Sequence, residues 1–204
     1  MTRPNVLESK LRAFKWLAHL LATVPFAWLV ADVLRNQLGA DPVRAVTHRT
    51  GWWALSFLLF TLAMSPLRRL SGRVEFIRFR RLLGLWAFAM ATLHFATYVV
   101  LDLQGSWRTL FPDIVKRPYI TVGFLAWLLL VPLALTSTRA WIKRLKKRWA
   151  QLHKLIYLIA VLAVLHFFWL VKKDLSEPTY FALVLALLLL VRIKRVTGPA
   201  APAT

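Results

Sequence analysis

Six mostly apolar runs, at residues 14–34, 51–64, 82–101, 119–135, 152–171 and 179–191, constrain this chain more than any other feature. Crossing the roughly 30 Å hydrocarbon core of a bilayer takes about 20 apolar residues in helical form. Inside lipid, every backbone group must be bonded within the protein. The second run is short, but it lengthens if its helix starts near Pro42, a favoured first-turn residue, which brings His48 inside its outer end. The expected fold class is therefore all-α, a polytopic bundle of six transmembrane helices. Hydrophobic residues make up 59% of the chain and charged residues 18%, against roughly 45–50% and about 25% in soluble domains.

The formal net charge is +20, from 28 Lys and Arg against 8 Asp and Glu. A nucleic-acid binder would carry such a charge on a soluble basic surface, which this composition does not supply, so no nucleic-acid partner is expected. The basic residues instead follow the runs. With the N-terminus inside, 20 of the 28 fall in inner segments and six of the eight acids fall outside, leaving +18 within and +2 without. Cytoplasmic loops are enriched in Lys and Arg in this way. The expectation is an even number of spans with both termini cytoplasmic. Residues 1–13 read as a cytoplasmic N-terminus, 14–194 as the six-helix domain and 195–204 as a cytoplasmic tail. The first run is too long and too polar at its exit for a cleaved signal peptide and is expected to stay. Trp16, Trp52, Trp53, Trp107, Trp141, Trp149 and Trp169 lie near run boundaries, where interfacial anchoring is the default role. No internal repeat is apparent.

Ionisable groups within a bilayer are costly and mark functional sites. The histidines are the informative set: His19, His48, His94, His153 and His166. His94 and His166 lie 12 and 14 residues into the third and fifth runs, which point the same way, so at about 1.5 Å per residue they share a depth. Two imidazoles facing one another across a bundle are what a six-coordinate b-type haem requires. The alternative is that each hydrogen-bonds a neighbouring helix. His153 stands 13 residues before His166, about 20 Å along the axis, suggesting a second haem. On an ideal helix the two side chains are roughly 140° apart, so a shared face needs a distortion or a non-helical His153. Arg80, 14 residues before His94 and only about 40° out of phase, is a poor axial ligand but a partner for a haem propionate or a flavin phosphate, or a membrane anchor. His48 reads as an interfacial histidine facing water, with an outer quinol pocket as the alternative, and His19 as a packing residue. Cysteine is absent, which excludes disulfides, thiolate metal sites and covalently attached c-type haem.

The strings LGADPVRAVTHRTG, RFRRLLGLWAFAMATLHFATY, KRPYITVGFLAW, LALTSTRAW and LKKRWAQLHKLIYLIAVLAVLHFFW, in this order over nearly the whole chain, resemble the MsrQ (YedZ) family. These are haem-binding membrane subunits of the periplasmic protein-methionine-sulfoxide reductase system, in the ferric reductase-like transmembrane superfamily. The resemblance implies a bacterial inner-membrane cytochrome with one or two b-type haems and FMN. It implies transfer of electrons from quinol to a periplasmic molybdopterin-containing catalytic subunit, with which it forms a heterodimer that repairs oxidised envelope proteins. The family's haem-ligand histidines fall on His94, His153 and His166, and Arg80 stands where the wider superfamily has a fourth histidine. On this reading the chain is an electron-transfer subunit that does not reduce methionine sulfoxide alone. The rivals are a metalloreductase-type haem relay and a haem-free transporter or scaffold. By topology alone, the segment 102–117 is a candidate docking surface for the partner.

Overall fold

The structure, a computed structural model, describes residues 6–193, with side chains described over 12–192. The N-terminal five residues and the tail assigned to 195–204 lie outside the described residues. The elements are α1 (Val6–Leu34), α2 (Pro42–Ser71), α3 (Glu75–Thr97) running into a π-helical turn (Tyr98–Asp102), α4 (Trp107–Lys116), α5 (Pro118–Leu135), α6 (Arg139–Leu145), α7 (Lys147–Leu152), α8 (Leu155–Leu170) and α9 (Ser176–Ile193). No strand occurs among the described residues. Five helical stretches, 12–34, 42–71, 75–102, 118–135 and 147–170, are long and apolar enough to cross a membrane, and α9 packs beside them on α2 and α8 as the sixth apolar helix. The chain is a multi-pass membrane protein.

Helix α2 is far longer than its apolar run. It starts at Pro42, capped by the Asp41 carboxylate accepting from the Arg44 backbone N–H at 3.0 Å, and ends at Gly72, whose φ of 69° is the left-handed conformation that glycine takes without strain. The polar residues at both ends, Arg44, His48 and Arg49 at one and Arg68 and Arg69 at the other, carry the helix beyond the hydrocarbon. Pro66 interrupts its ladder, because a proline has no N–H to give the carbonyl four residues back. That carbonyl belongs to Leu62, which is fully buried, and the Arg192 guanidinium of α9 takes it up at 2.8 Å while also donating to the Tyr157 hydroxyl of α8. One arginine thus ties α9, α2 and α8 together.

The helices alternate in direction. Arg49 at the start of α2 pairs with Asp32 at the end of α1, and His48 meets Glu177 at the start of α9 at 2.9 Å. These contacts define a far end of the bundle, opposite the basic end that carries Arg68, Arg69, Arg80 and the α6–α7 segment. The core runs through α2, α3, α5, α8 and α9, with Leu62, Ile159 and Ala160 completely buried. Because lipid tails are as apolar as leucine, close packing and internally satisfied hydroxyls hold such a core. Ser56 and Thr61 donate back to the carbonyls of Trp52 and Phe57 at 2.8 Å each. Trp16, Trp107 and Trp169 are exposed as expected of anchors. Trp52, Trp53 and Trp149 are not: Trp52 packs on Phe181, Trp53 on Phe57 and Trp149 on His153.

The segment 102–117, the candidate docking surface, is mostly the helix α4. Leu110 and Ile114 face inward against Val99, while Trp107, Phe111 and Val115 face out. Asp113 fastens it, accepting from the Tyr98 hydroxyl at 2.6 Å and from Arg117 Nε at 3.1 Å. Arg117 lies in the turn before α5, and its hydrogen bond to the Tyr119 hydroxyl is the leading cause that raises its guanidinium above the usual range.

Candidate functional site

His94 near the end of α3 and His166 near the end of α8 come together, their ring centroids 6.1 Å apart at an interplanar angle of 74°. Neither ring hangs free. His94 Nδ1 lies 2.9 Å from the carbonyl of Thr47 on α2, and His166 Nδ1 lies 2.6 Å from the carbonyl of Tyr119 on α5. Thr50, fully buried and held by its own bonds to the carbonyls of Val46 and Thr47, adds a hydroxyl 3.3 Å from His94 Nδ1. A carbonyl is only an acceptor, so Nδ1 carries the proton in both rings and Nε2 keeps its lone pair.

Each ring also lies against a glycine. A Cβ on Gly51 of α2 would stand 3.0 Å from His94 Cε1, and one on Gly123 of α5 would stand 2.7 Å from His166 Nδ1 and 2.8 Å from its Cε1. A side chain at Gly123 would force the His166 ring to move, and one at Gly51 would need the His94 ring to yield by a few tenths of an ångström. The two halves match in register: each histidine follows its acceptor carbonyl by 47 residues and its glycine by 43. The sequence reading found no internal repeat, yet the helix pairs α2–α3 and α5–α8 present the same arrangement 72 residues apart. The signal available in the sequence was the triplet Leu-His-Phe, at 93–95 and again at 165–167.

This donor set fits a b-type haem. Two neutral imidazoles at this spacing, each with Nδ1 occupied and Nε2 left as donor, would suit the iron of such a haem. An Nδ1–H donated to a backbone carbonyl is the outer-shell partner that fixes the tautomer of a metal-bound histidine.

His153 and Arg80 are not part of this pair. The helix breaks at His153 and Lys154, between α7 and α8, where His153 takes φ −71° and ψ −5°. A break therefore separates His153 from the helix of His166, as a shared face would need. Here the ring is engaged through Nε2, 3.1 Å from the Thr136 hydroxyl, and stacked on Trp149 at 4.1 Å. Trp149 in turn donates to the Thr136 carbonyl at 2.9 Å. Arg80 is half-buried on α3 and close enough for its charge to act on both His153 and Arg192, and Arg69 acts on Arg192 as well. Such a cluster suits an anionic group, a propionate or a phosphate.

Of the remaining histidines, His19 accepts a hydrogen bond from Trp86 Nε1 at 3.1 Å, a packing role. His48 stays in the solvent-facing layer with Glu177.

Residues 50–164 match the family described as ferric reductase like transmembrane component. A curated relative from Xanthomonas oryzae pv. oryzae, named protein-methionine-sulfoxide reductase heme-binding subunit MsrQ, is 56% identical over 181 residues, covering 86% of this chain and 83% of its own. A relative of the same name from Herminiimonas arsenicoxydans is 47% identical over 187 residues, covering 90% and 86%. No solved structure matches the chain. With such identity over most of both chains, this protein belongs to the MsrQ family of haem-binding subunits, within the ferric reductase-like transmembrane proteins.

Proposed function

We propose that the chain is a b-type cytochrome subunit of a bacterial inner membrane, drawing electrons from the quinone pool, with FMN as a further redox group, and passing them to a periplasmic molybdopterin methionine-sulfoxide reductase with which it forms a heterodimer. The observation that carries this reading is the His94–His166 pair, 6.1 Å apart with both Nδ1 atoms held by backbone carbonyls. His94 and His166 would hold one haem, which supplies a one-electron iron couple when bound. Thr47 and Tyr119 orient the two rings through their carbonyls, and the apolar residues of α3 and α8 keep water from them. His153 serves a second haem or tunes its site, with Arg80 neutralising a propionate or the FMN phosphate. Both termini face the cytoplasm, with 1–13 and 195–204 as soluble ends of the 14–194 bundle, so that the far end is periplasmic. There the partner docks over α4, beside the histidine pair.

The test is a reduced-minus-oxidised visible spectrum of the purified protein beside His94→Ala, His166→Ala and His153→Ala. Loss of b-type absorbance in the first two is expected. Retention of the full spectrum by both would overturn the ligand pair.

A metalloreductase is a second reading, favoured by the family description of ferric reductase. Ferric reduction by the chain without the molybdoenzyme would support it. Electron delivery only in the presence of the partner supports the first reading.

A further inference from the structure

At the far end, α1 leaves a cleft against α2 and α3 of about 270 Å³. That is just under the roughly 300–1,000 Å³ of small-molecule sites, enough for a single ring headgroup whose tail remains in lipid. Its walls are aromatic: Phe26 and Trp28 from α1 and Trp53 from α2. Phe26 is 44% and Trp28 67% exposed, and as residues of a membrane-crossing helix they open the cleft to the bilayer rather than to water.

The inner wall is polar. Arg49 and Thr50 line it. Arg49 donates to Asp32, a carboxylate only 7% exposed at the end of α1. A guanidinium has five N–H groups in a fixed fork, and the pair with Asp32 uses Nη1 alone in this structure. Thr50 stands between the cleft and His94, its hydroxyl 3.3 Å from Nδ1. An apolar, lipid-facing cavity with aromatic walls and one guanidinium donor suits a planar, lipid-soluble ring bearing oxygens.

We propose that this cleft is where a quinol headgroup binds. The inference rests on the haem reading above and gives the donor a location one residue's width from the His94 ligand. The ring lies against Trp28 and Trp53, and Arg49 donates to one ring oxygen. Oxidation breaks the two O–H bonds of the hydroquinone, releases two protons to the water at the far end and gives up two electrons, which a haem held by His94 and His166 would take one at a time.

The experiment uses the haem-loaded protein in lipid nanodiscs, mixed with menadiol while the b-type bands are followed in time. Leu29→Trp fills the cleft from its α1 wall, and Arg49→Gln removes the charge while keeping an amide donor. Both are expected to slow menadiol-driven haem reduction by tenfold or more while leaving the haem-to-protein ratio and reduction by dithionite at wild-type values. Wild-type menadiol rates in both variants would overturn the proposal, leaving the cleft as a seat for lipid chains. A wild-type protein with no b-type spectrum would overturn the haem reading instead. Menadione binding to that haem-free protein, measured by calorimetry and abolished by Leu29→Trp, would then still support the cleft.

Discussion

The pairs α2–α3 and α5–α8 are alike at one end and unlike at the other. At the far end each sets a histidine against a glycine and a carbonyl of the preceding long helix, with identical spacings of 43 and 47 residues. At the basic end they diverge. Helix α3 runs unbroken from Glu75 through His94 and carries Arg80, whereas the helix of His166 breaks at His153, whose Nε2 is engaged by Thr136. Geometry is duplicated where two equal ligands would serve one haem, and it is relaxed where a single histidine and an arginine stand instead of a matched pair.

The largest effect expected from this comparison is equivalence. If His94 and His166 hold the same haem from opposite sides, His94→Ala and His166→Ala each remove it, and the double variant loses no more absorbance than either single. Residues that act as one unit are non-additive in this way. Additive losses in the double variant would break the pairing.

A graded effect follows from the glycines. The Cβ of Gly123→Ala meets the His166 ring at 2.7 Å, closer than the 3.0 Å that Gly51→Ala meets at His94. The contacts are ring atoms pinned by short hydrogen bonds, so neither ring can yield freely. Overpacking of this kind costs about 1–3 kcal/mol. Gly123→Ala is expected to weaken haem retention about tenfold or more and to alter the low-spin paramagnetic resonance signal, with Gly51→Ala doing the same to a smaller degree. Equal or reversed effects would show that the contact distance at each glycine does not set haem retention.

Much of this was readable beforehand. The six apolar runs, the shared depth of His94 and His166 and the need for a break near His153 all follow from helical rise and phase. The start of α2 at Pro42 was read, but its extension to Ser71 was obscured because Arg68 and Arg69 dilute its apolar window, although long basic side chains lie along a helix and reach the interface without ending it. The repeat was hidden for a different reason. Its acceptors are backbone carbonyls, which any residue type supplies, so Thr47 can correspond to Tyr119 without a shared side chain. Only the glycines and the repeated Leu-His-Phe triplet carry the signal, and a glycine within an apolar helix is ambiguous until its neighbour is known. The Arg192 bond to Leu62 had a readable half, since Pro66 announces an unbonded carbonyl, but the partner lies 130 residues away.

That bond gives the next prediction in size. Arg192→Met leaves the Leu62 carbonyl buried without a donor, at a cost of about 1–3 kcal/mol. A lower midpoint of thermal unfolding in detergent is expected, with the bands of the far-end haem unchanged, because the clip lies at the basic end. An altered far-end spectrum would mean that the two ends of α2 are mechanically coupled.

The smallest effect is expected at Thr136. Replacing its hydroxyl in Thr136→Val frees His153 Nε2 from a bond of 3.1 Å, a neutral interaction worth roughly 0.5–1.5 kcal/mol. Stacking on Trp149 remains, so the ring keeps its place and only its free nitrogen changes. The far-end absorbance should be untouched, and any spectral change should be confined to bands that His153→Ala removes. Thr136→Val thus separates the two ends without removing a ligand candidate from either. A change in the bands lost with His94→Ala would show that His153 reaches the far-end site, and the contrast between a duplicated end and a diverged one would fail.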